Sequence, residues 1–157
     1  MRRVVIFGNS GSGKSTLAKK LADESELSHL DLDVIAWQPV TPPRRRAVDE
    51  SAADIHAFMD AHDGWVIEGC YADLLTVAIA RCTRLVFLNP GVAACIANAR
   101  RRPWEPHKYA SPEAQDANLD MLIGWIRDYE TRQDEFSLAA HRRLFHDFGG
   151  DKVEIGA

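Results

Sequence analysis

Eight residues near the start of the chain, Gly8-Asn9-Ser10-Gly11-Ser12-Gly13-Lys14-Ser15, limit what it can fold into more than any other feature. A glycine, four residues, then Gly-Lys-Ser is the pattern of a loop that turns successive backbone N–H groups inward around an anion. The flanks agree. Val4-Val5-Ile6-Phe7 is β-branched or aromatic throughout, without polar alternation, which suits a strand covered on both faces of a parallel sheet. From Gly13 to about Asp23 a helix is expected, with Leu17 and Leu21 at an i, i+4 spacing that lays one apolar stripe on that sheet. A helix N-terminus adds partial positive charge to the trap. Gly8, Ser10, Gly11, Ser12 and Gly13 are expected to cradle the phosphates. Lys14 is expected to span the β- and γ-phosphates, Ser15 to offer its hydroxyl to Mg²⁺, and Thr16 to reach the α-phosphate. The implied ligand is a nucleoside triphosphate with Mg²⁺, taken as ATP.

The rest of the chain alternates strand and helix signals. Strands are expected at His29–Asp33, Trp65–Ile67 running into Glu68-Gly69, Leu85–Leu88 and Val153–Ile155. Helices are expected over about 48–61, 72–80 and 91–101, along the Leu119, Leu122, Ile123, Ile126, Tyr129 periodicity, and from the N-cap Ser137 to Phe148. Pro39, Pro42 and Pro43 mark a loop, and Arg102-Pro103-Trp104-Glu105-Pro106 breaks a helix into a mobile segment over about 100–112 that could act as a lid. Five strands with crossover helices give a three-layer α/β/α domain over 1–157, built on a five-stranded parallel sheet with expected order 2-3-1-4-5.

Composition narrows the partners. With 157 residues, 46% hydrophobic and 27% charged, the chain is sized for one globular domain. No apolar run approaches the roughly 18 residues of a membrane-spanning helix, nor the roughly 7–15 residue core of a signal peptide, so a cytoplasmic protein without membrane contact is expected. The net charge of -4 disfavours a broad nucleic-acid surface. Cys70, Cys82 and Cys95 form no metal-ligand spacing and are expected to be reduced, mostly buried thiols. A monomer or homodimer acting on a small molecule fits these limits.

Beyond the phosphate loop, Thr131-Arg132-Gln133-Asp134-Glu135 followed by Arg143-Leu144 resembles a segment of adenylate kinases, in which an Arg-x-Asp-Asp precedes an Arg-Leu. Over nearly its whole length the chain resembles the nucleotide-kinase-like P-loop family. That family includes adenylate, shikimate and gluconate kinases and the bacterial proteins labelled topology modulation proteins. The resemblance implies that Arg132 and Arg143 face the transferring phosphates, and that Arg101 or Arg102, at a lid opening similar to that of shikimate kinases, closes over them. For each arginine the ordinary alternative is a solvated or ion-paired helix residue. Ala97 stands where adenylate kinases carry an adenine-stacking arginine.

Asp31 and Asp33 resemble the Asp-x-Asp of shikimate kinases, where one carboxylate approaches Mg²⁺ and the other grips the acceptor hydroxyl. Strand alternation would put both on one face, with Asp33 orienting the hydroxyl and accepting its proton. A helix cap or an ion pair is the alternative role. Glu68-Gly69 occupies the place of the family's Asp-Gly, so Glu68 is expected near Mg²⁺ and Gly69 and Tyr71 near the acceptor. Cys70-Tyr71-Ala72 lacks the Pro-Arg that adenylate kinases use for AMP; Trp65 to Tyr71 is closer in style to the topology modulation group. Trp37, Arg44, Arg45 and Arg46 flank the same crevice, and His107 and His141 are lesser candidates. The resemblance implies an ATP-dependent kinase for a hydroxyl or phosphate acceptor. A nucleotide-binding regulator or weak ATPase is the other class that these departures allow, and the acidic charge disfavours a nucleic-acid-associated ATPase.

Overall fold

In the computed structural model, which describes residues 1–156, a five-stranded parallel sheet runs in the order β2-β5-β1-β6-β7. Its strands are β1 (Arg3–Gly8), β2 (Ser28–Asp31), β5 (Trp65–Gly69), β6 (Arg84–Leu88) and β7 (Asp151–Ile155). Two two-residue strands, β3 (Trp37–Gln38) and β4 (Arg44–Arg45), form a separate antiparallel hairpin in the proline-rich stretch. With that hairpin set aside, the sheet has the expected 2-3-1-4-5 order. The helices are α1 (Lys14–Ser25), α2 (Asp33–Ala36), α3 (Val48–Ala61), α4 (Ala72–Ile79), α5 (Val92–Arg101), α6 (Pro112–Arg127) and α7 (Leu138–Asp147).

Alternation along β1 sorts its side chains between two cores, as a strand buried on both faces requires. Val5 and Phe7 join Ile55, Met59, Leu74, Leu75 and Phe87 in the cluster under α3 and α4, where Phe7 stacks on Phe87 at 4.8 Å. Val4 and Ile6 join Ala18, Val66 and Val86 in the cluster under α1, with Leu17 and Leu21 packed at its edge. A smaller cluster of Cys95, Ala99 and Ile126 joins α5 to α6. Cys95 is buried, Cys70 and Cys82 pack partly buried against the larger core, and burial raises all three thiols.

One expectation changes. The second strand ends at Asp31 rather than Asp33, because the Asp31 carboxylate accepts the Asp33 N–H at 2.9 Å and turns the chain into α2. The segment after α5 is hydrogen-bonded to the start of α6. The Gln115 side chain of α6 accepts the Glu105 N–H and donates to the Pro103 carbonyl, while the Trp104 indole donates to the Tyr109 carbonyl. Ser111 then caps α6 by accepting the Ala114 N–H, with Pro112 at the first helical position.

Candidate active site

The turn from β1 into α1 is built to leave donors open. Gly11 has φ +79° and Gly13 φ +96°, backbone that other residues rarely adopt. A Cβ on Gly11 would in addition strike the Cys95 carbonyl. Lys14, Ser15 and Thr16 open α1, so their amides have no carbonyl one turn earlier to bond. The Ser12 hydroxyl is buried beside Gly8 without a hydrogen-bond partner, and Ser10 stands half-buried at the tip. The Lys14 ammonium folds back to donate to the Asn9 carbonyl at 2.7 Å. Open amides, an unpartnered buried hydroxyl and a nearby ammonium fit a bound polyphosphate.

On the α1 side of the sheet, Ser15 donates to Glu68 Oε1 at 3.0 Å. Glu68 is only 1% exposed, and the β2–β5 register puts it directly opposite Asp31. Burial first, and then the charges of Asp33 and Glu68, raise the Asp31 carboxyl above the usual carboxylate range. Hydroxyl and carboxylate oxygens are the donor set that Mg²⁺ prefers. Among the described residues no three His, Cys, Asp or Glu form a ready-made metal cage. Mg²⁺ in phosphoryl-transfer sites takes few protein ligands and completes its shell with phosphate oxygens and water, so Ser15 and Glu68 suffice to fit it.

Asp33 opens α2 just beyond Asp31. The Tyr71 hydroxyl donates to its Oδ1, the Trp37 indole donates to the Tyr71 oxygen at 2.9 Å, and Lys108 donates to Asp33 Oδ2 at 3.0 Å. Burial opposes the charge on Asp33, but Lys108, the Tyr71 hydroxyl and Lys14 together outweigh it, holding Asp33 below the usual carboxylate range. Lys108 also approaches Asp31 at 3.6 Å and Glu105 at 3.5 Å. Burial disfavours the charged ammonium, yet the facing carboxylates overcome this and raise its pKa. Arg45, from the hairpin, lies over the Tyr71 ring at 4.8 Å and bonds both Asp73 and Glu135.

The structure therefore brings together the phosphate loop, Glu68, Asp31, Asp33, Tyr71, Trp37 and Arg45. Gly69 ends β5 against Leu32 in the same turn. Arg132 is inward-facing: it bonds Asp134 at 3.0 Å and lies 3.3 Å over the Trp125 ring. Arg101 is exposed and donates to Asn98, whose amide donates to the Gly11 carbonyl at 2.8 Å. Arg102 pairs with Glu105 at 3.2 Å. Arg143 is exposed in the groove between α4 and α7, with no hydrogen bond or ion pair among the described residues. Arg46 is held on α3 by Asp54, and Arg44 is exposed. His107 is exposed beside Glu105. His141 is fully buried, donating from Nε2 to the Cys70 carbonyl and accepting from the Tyr129 hydroxyl at Nδ1, which gives it a structural place.

Sequence reasoning missed Lys108, His29, Asn9 and Asn98. For His29, alternation two residues before Asp31 was an available signal. Nothing local marks Lys108.

Sheet order and phosphate loop together define a P-loop nucleotide-kinase-like fold. Solved structures share it: an unliganded sugar kinase from Janibacter sp. (TM-score 0.55, 16% identity, covering 99% of this chain and 85% of that one) and a gluconokinase from Sinorhizobium meliloti (0.55, 15%, 99% and 82%). A shikimate kinase from Bacteroides thetaiotaomicron aligns at TM-score 0.50 and 17% identity, over 92% of this chain and 97% of that one. No protein-family profile matches the chain, and neither does any curated protein. Among the described residues no helix is long and apolar enough to cross a membrane.

Proposed function

We propose that this chain is a small-molecule kinase that transfers the γ-phosphoryl group of Mg·ATP to a hydroxyl of an acceptor seated between Asp33, Tyr71 and Trp37. The observation that carries this reading is a run of neighbouring polar side chains from the start of α1 to the start of α2. Ser15 bonds Glu68, Glu68 faces Asp31, and Lys108 joins Asp31 to Asp33. A phosphate trap and an ionised carboxylate at the same end of the parallel sheet suit in-line phosphoryl transfer. The sugar, shikimate and gluconate activities named for the structural neighbours agree with a hydroxyl acceptor.

In this reading the loop amides and Lys14 hold the phosphates, and Ser15 and Glu68 hold Mg²⁺. Bound Mg²⁺ would neutralise charge on the β- and γ-phosphates. The acceptor oxygen forms its bond to the γ-phosphorus as the bond to the β,γ-bridging oxygen breaks; the acceptor proton passes to Asp33 and ADP leaves. Asp33 is ionised and low in basicity, so it acts more by orienting the hydroxyl than by pulling its proton early. Tyr71 fixes the rotamer of Asp33, and Trp37 offers a face 37% exposed for the body of the acceptor. The segment over 100–112 serves as the lid, excluding water from the γ-phosphoryl group.

One observation favours a second reading, a nucleotide-binding regulator or weak ATPase: both Asp33 oxygens are already taken, by Tyr71 and Lys108. ADP formation measured with pooled sugars, polyols, hydroxy acids and nucleosides separates the two. Acceptor-dependent ADP, abolished in a folded Lys14→Ala variant, is expected. Tight ATP binding with turnover indifferent to every pool supports the regulator instead, and normal turnover by Lys14→Ala contradicts both.

A further inference from the structure

Glu68 poses a problem of direction. It stands opposite Asp31, another carboxylate, and has one more rotatable bond than an aspartate would have there. Repulsion from Asp31 pushes its head group away, and an unrestrained head group would spread over several rotamers. Two neighbours decide where it points. The Ser15 hydroxyl takes Oε1 at 3.0 Å, and His29 Nε2 takes Oε2 at 2.8 Å. His29 lies on β2 two residues before Asp31, hence on the same sheet face and diagonal to Glu68 across the β2–β5 pairing. A carboxylate that serves a metal accepts at its second oxygen, so in this role His29 donates from Nε2.

We propose that His29 is a positioning residue: by holding Oε2 it leaves Oε1 aligned beside the Ser15 hydroxyl, where Mg²⁺ of the bound nucleotide is taken up. This rests on the Mg·ATP reading above. The role is that of an outer-shell partner that orients a metal ligand without touching the metal. Glu68 thereby gains the directional definition that its extra methylene removes.

Calorimetry with a nonhydrolysable ATP analogue, with and without Mg²⁺, tests this on His29→Leu, His29→Asn and His29→Gln. The gain in affinity that Mg²⁺ confers should fall about 10-fold or more in His29→Leu, which has no donor, and in His29→Asn, which is polar but too short. It should be largely restored in His29→Gln, whose amide reaches further. Mg²⁺-free affinity should stay the same in all three, and the Mg²⁺ concentration for half-maximal turnover should rise more than kcat falls. If His29→Leu and His29→Asn keep the full Mg²⁺ increment that the unmodified protein shows, the inference is overturned while the kinase reading stands. If the unmodified protein binds no nucleotide at all, both are overturned.

Discussion

Asp31 and Asp33 are two residues apart and have opposite electrostatic fates, one pushed up by burial and neighbouring carboxylates, the other held down by Lys108 and Tyr71 despite burial. The difference follows from the turn that Asp31 makes with the Asp33 N–H, which swings Asp33 out of the sheet register and into reach of the Tyr71 hydroxyl. Asp33→Asn keeps the size and loses the charge, so acceptor-dependent kcat should fall roughly 10²- to 10⁴-fold while ATP affinity, measured by calorimetry, is unchanged. Tyr71→Phe removes one hydroxyl that serves both Trp37 and Asp33; steady-state kinetics should show the acceptor KM rising more than kcat falls. As candidates these residues were legible in the sequence through their resemblance to the Asp-x-Asp of shikimate kinases and to the kinase segment after the third strand. Their partners were not. Whether Asp33 continues a strand or starts a helix depends on one side-chain hydrogen bond that competes with the sheet ladder, and hydrophobic alternation does not register it.

Among the elements, the proposed lid shows the limit most clearly. Pro103 and Pro106 announced a break in the helix, and the proline rule held because the backbone there cannot continue α5. Which side chain turns inward was set by Gln115 and Asn118 reaching back from α6, contacts that span 9 to 12 residues and leave no local pattern. The result is Lys108 facing three carboxylates while Arg102 stays on the lid with Glu105. Removing Lys108 should release the lid from Asp33. In Lys108→Ala, limited trypsin digestion should cut after Arg100 or Arg101 several-fold faster than in the unmodified protein, with a far smaller change in the urea midpoint. Equal cleavage rates would show that the lid is held by α6 alone.

For the whole molecule, sheet order, the buried central strand β1 and the cap of α7 follow from sequence patterns that agree with one another. What the pattern leaves open is how the interior meets water and protons. His141 is sealed between the Cys70 carbonyl and the Tyr129 hydroxyl, and burial pushes its imidazole down to about 4. The unfolded chain binds a proton on this histidine near pH 6.5 and the folded one does not, so stability rises with pH between about 4 and 6.5. The contribution lost on acidification through that window is about 3 kcal/mol. Urea unfolding at pH 7 and pH 4.5 should show this loss, and His141→Gln should reduce it while lowering stability at pH 7 as well.

Two asparagines moor the phosphate loop on either side of the lid. Asn98 of α5 donates to the Gly11 carbonyl, and Asn9 donates to the Ile126 carbonyl near the end of α6. The strap from 102 to 111 is therefore anchored at both ends to helices that grip the same few peptide units. Occupying the loop should tighten both anchors together, so that amide hydrogen exchange along the strap slows once nucleotide is added, before any acceptor is present.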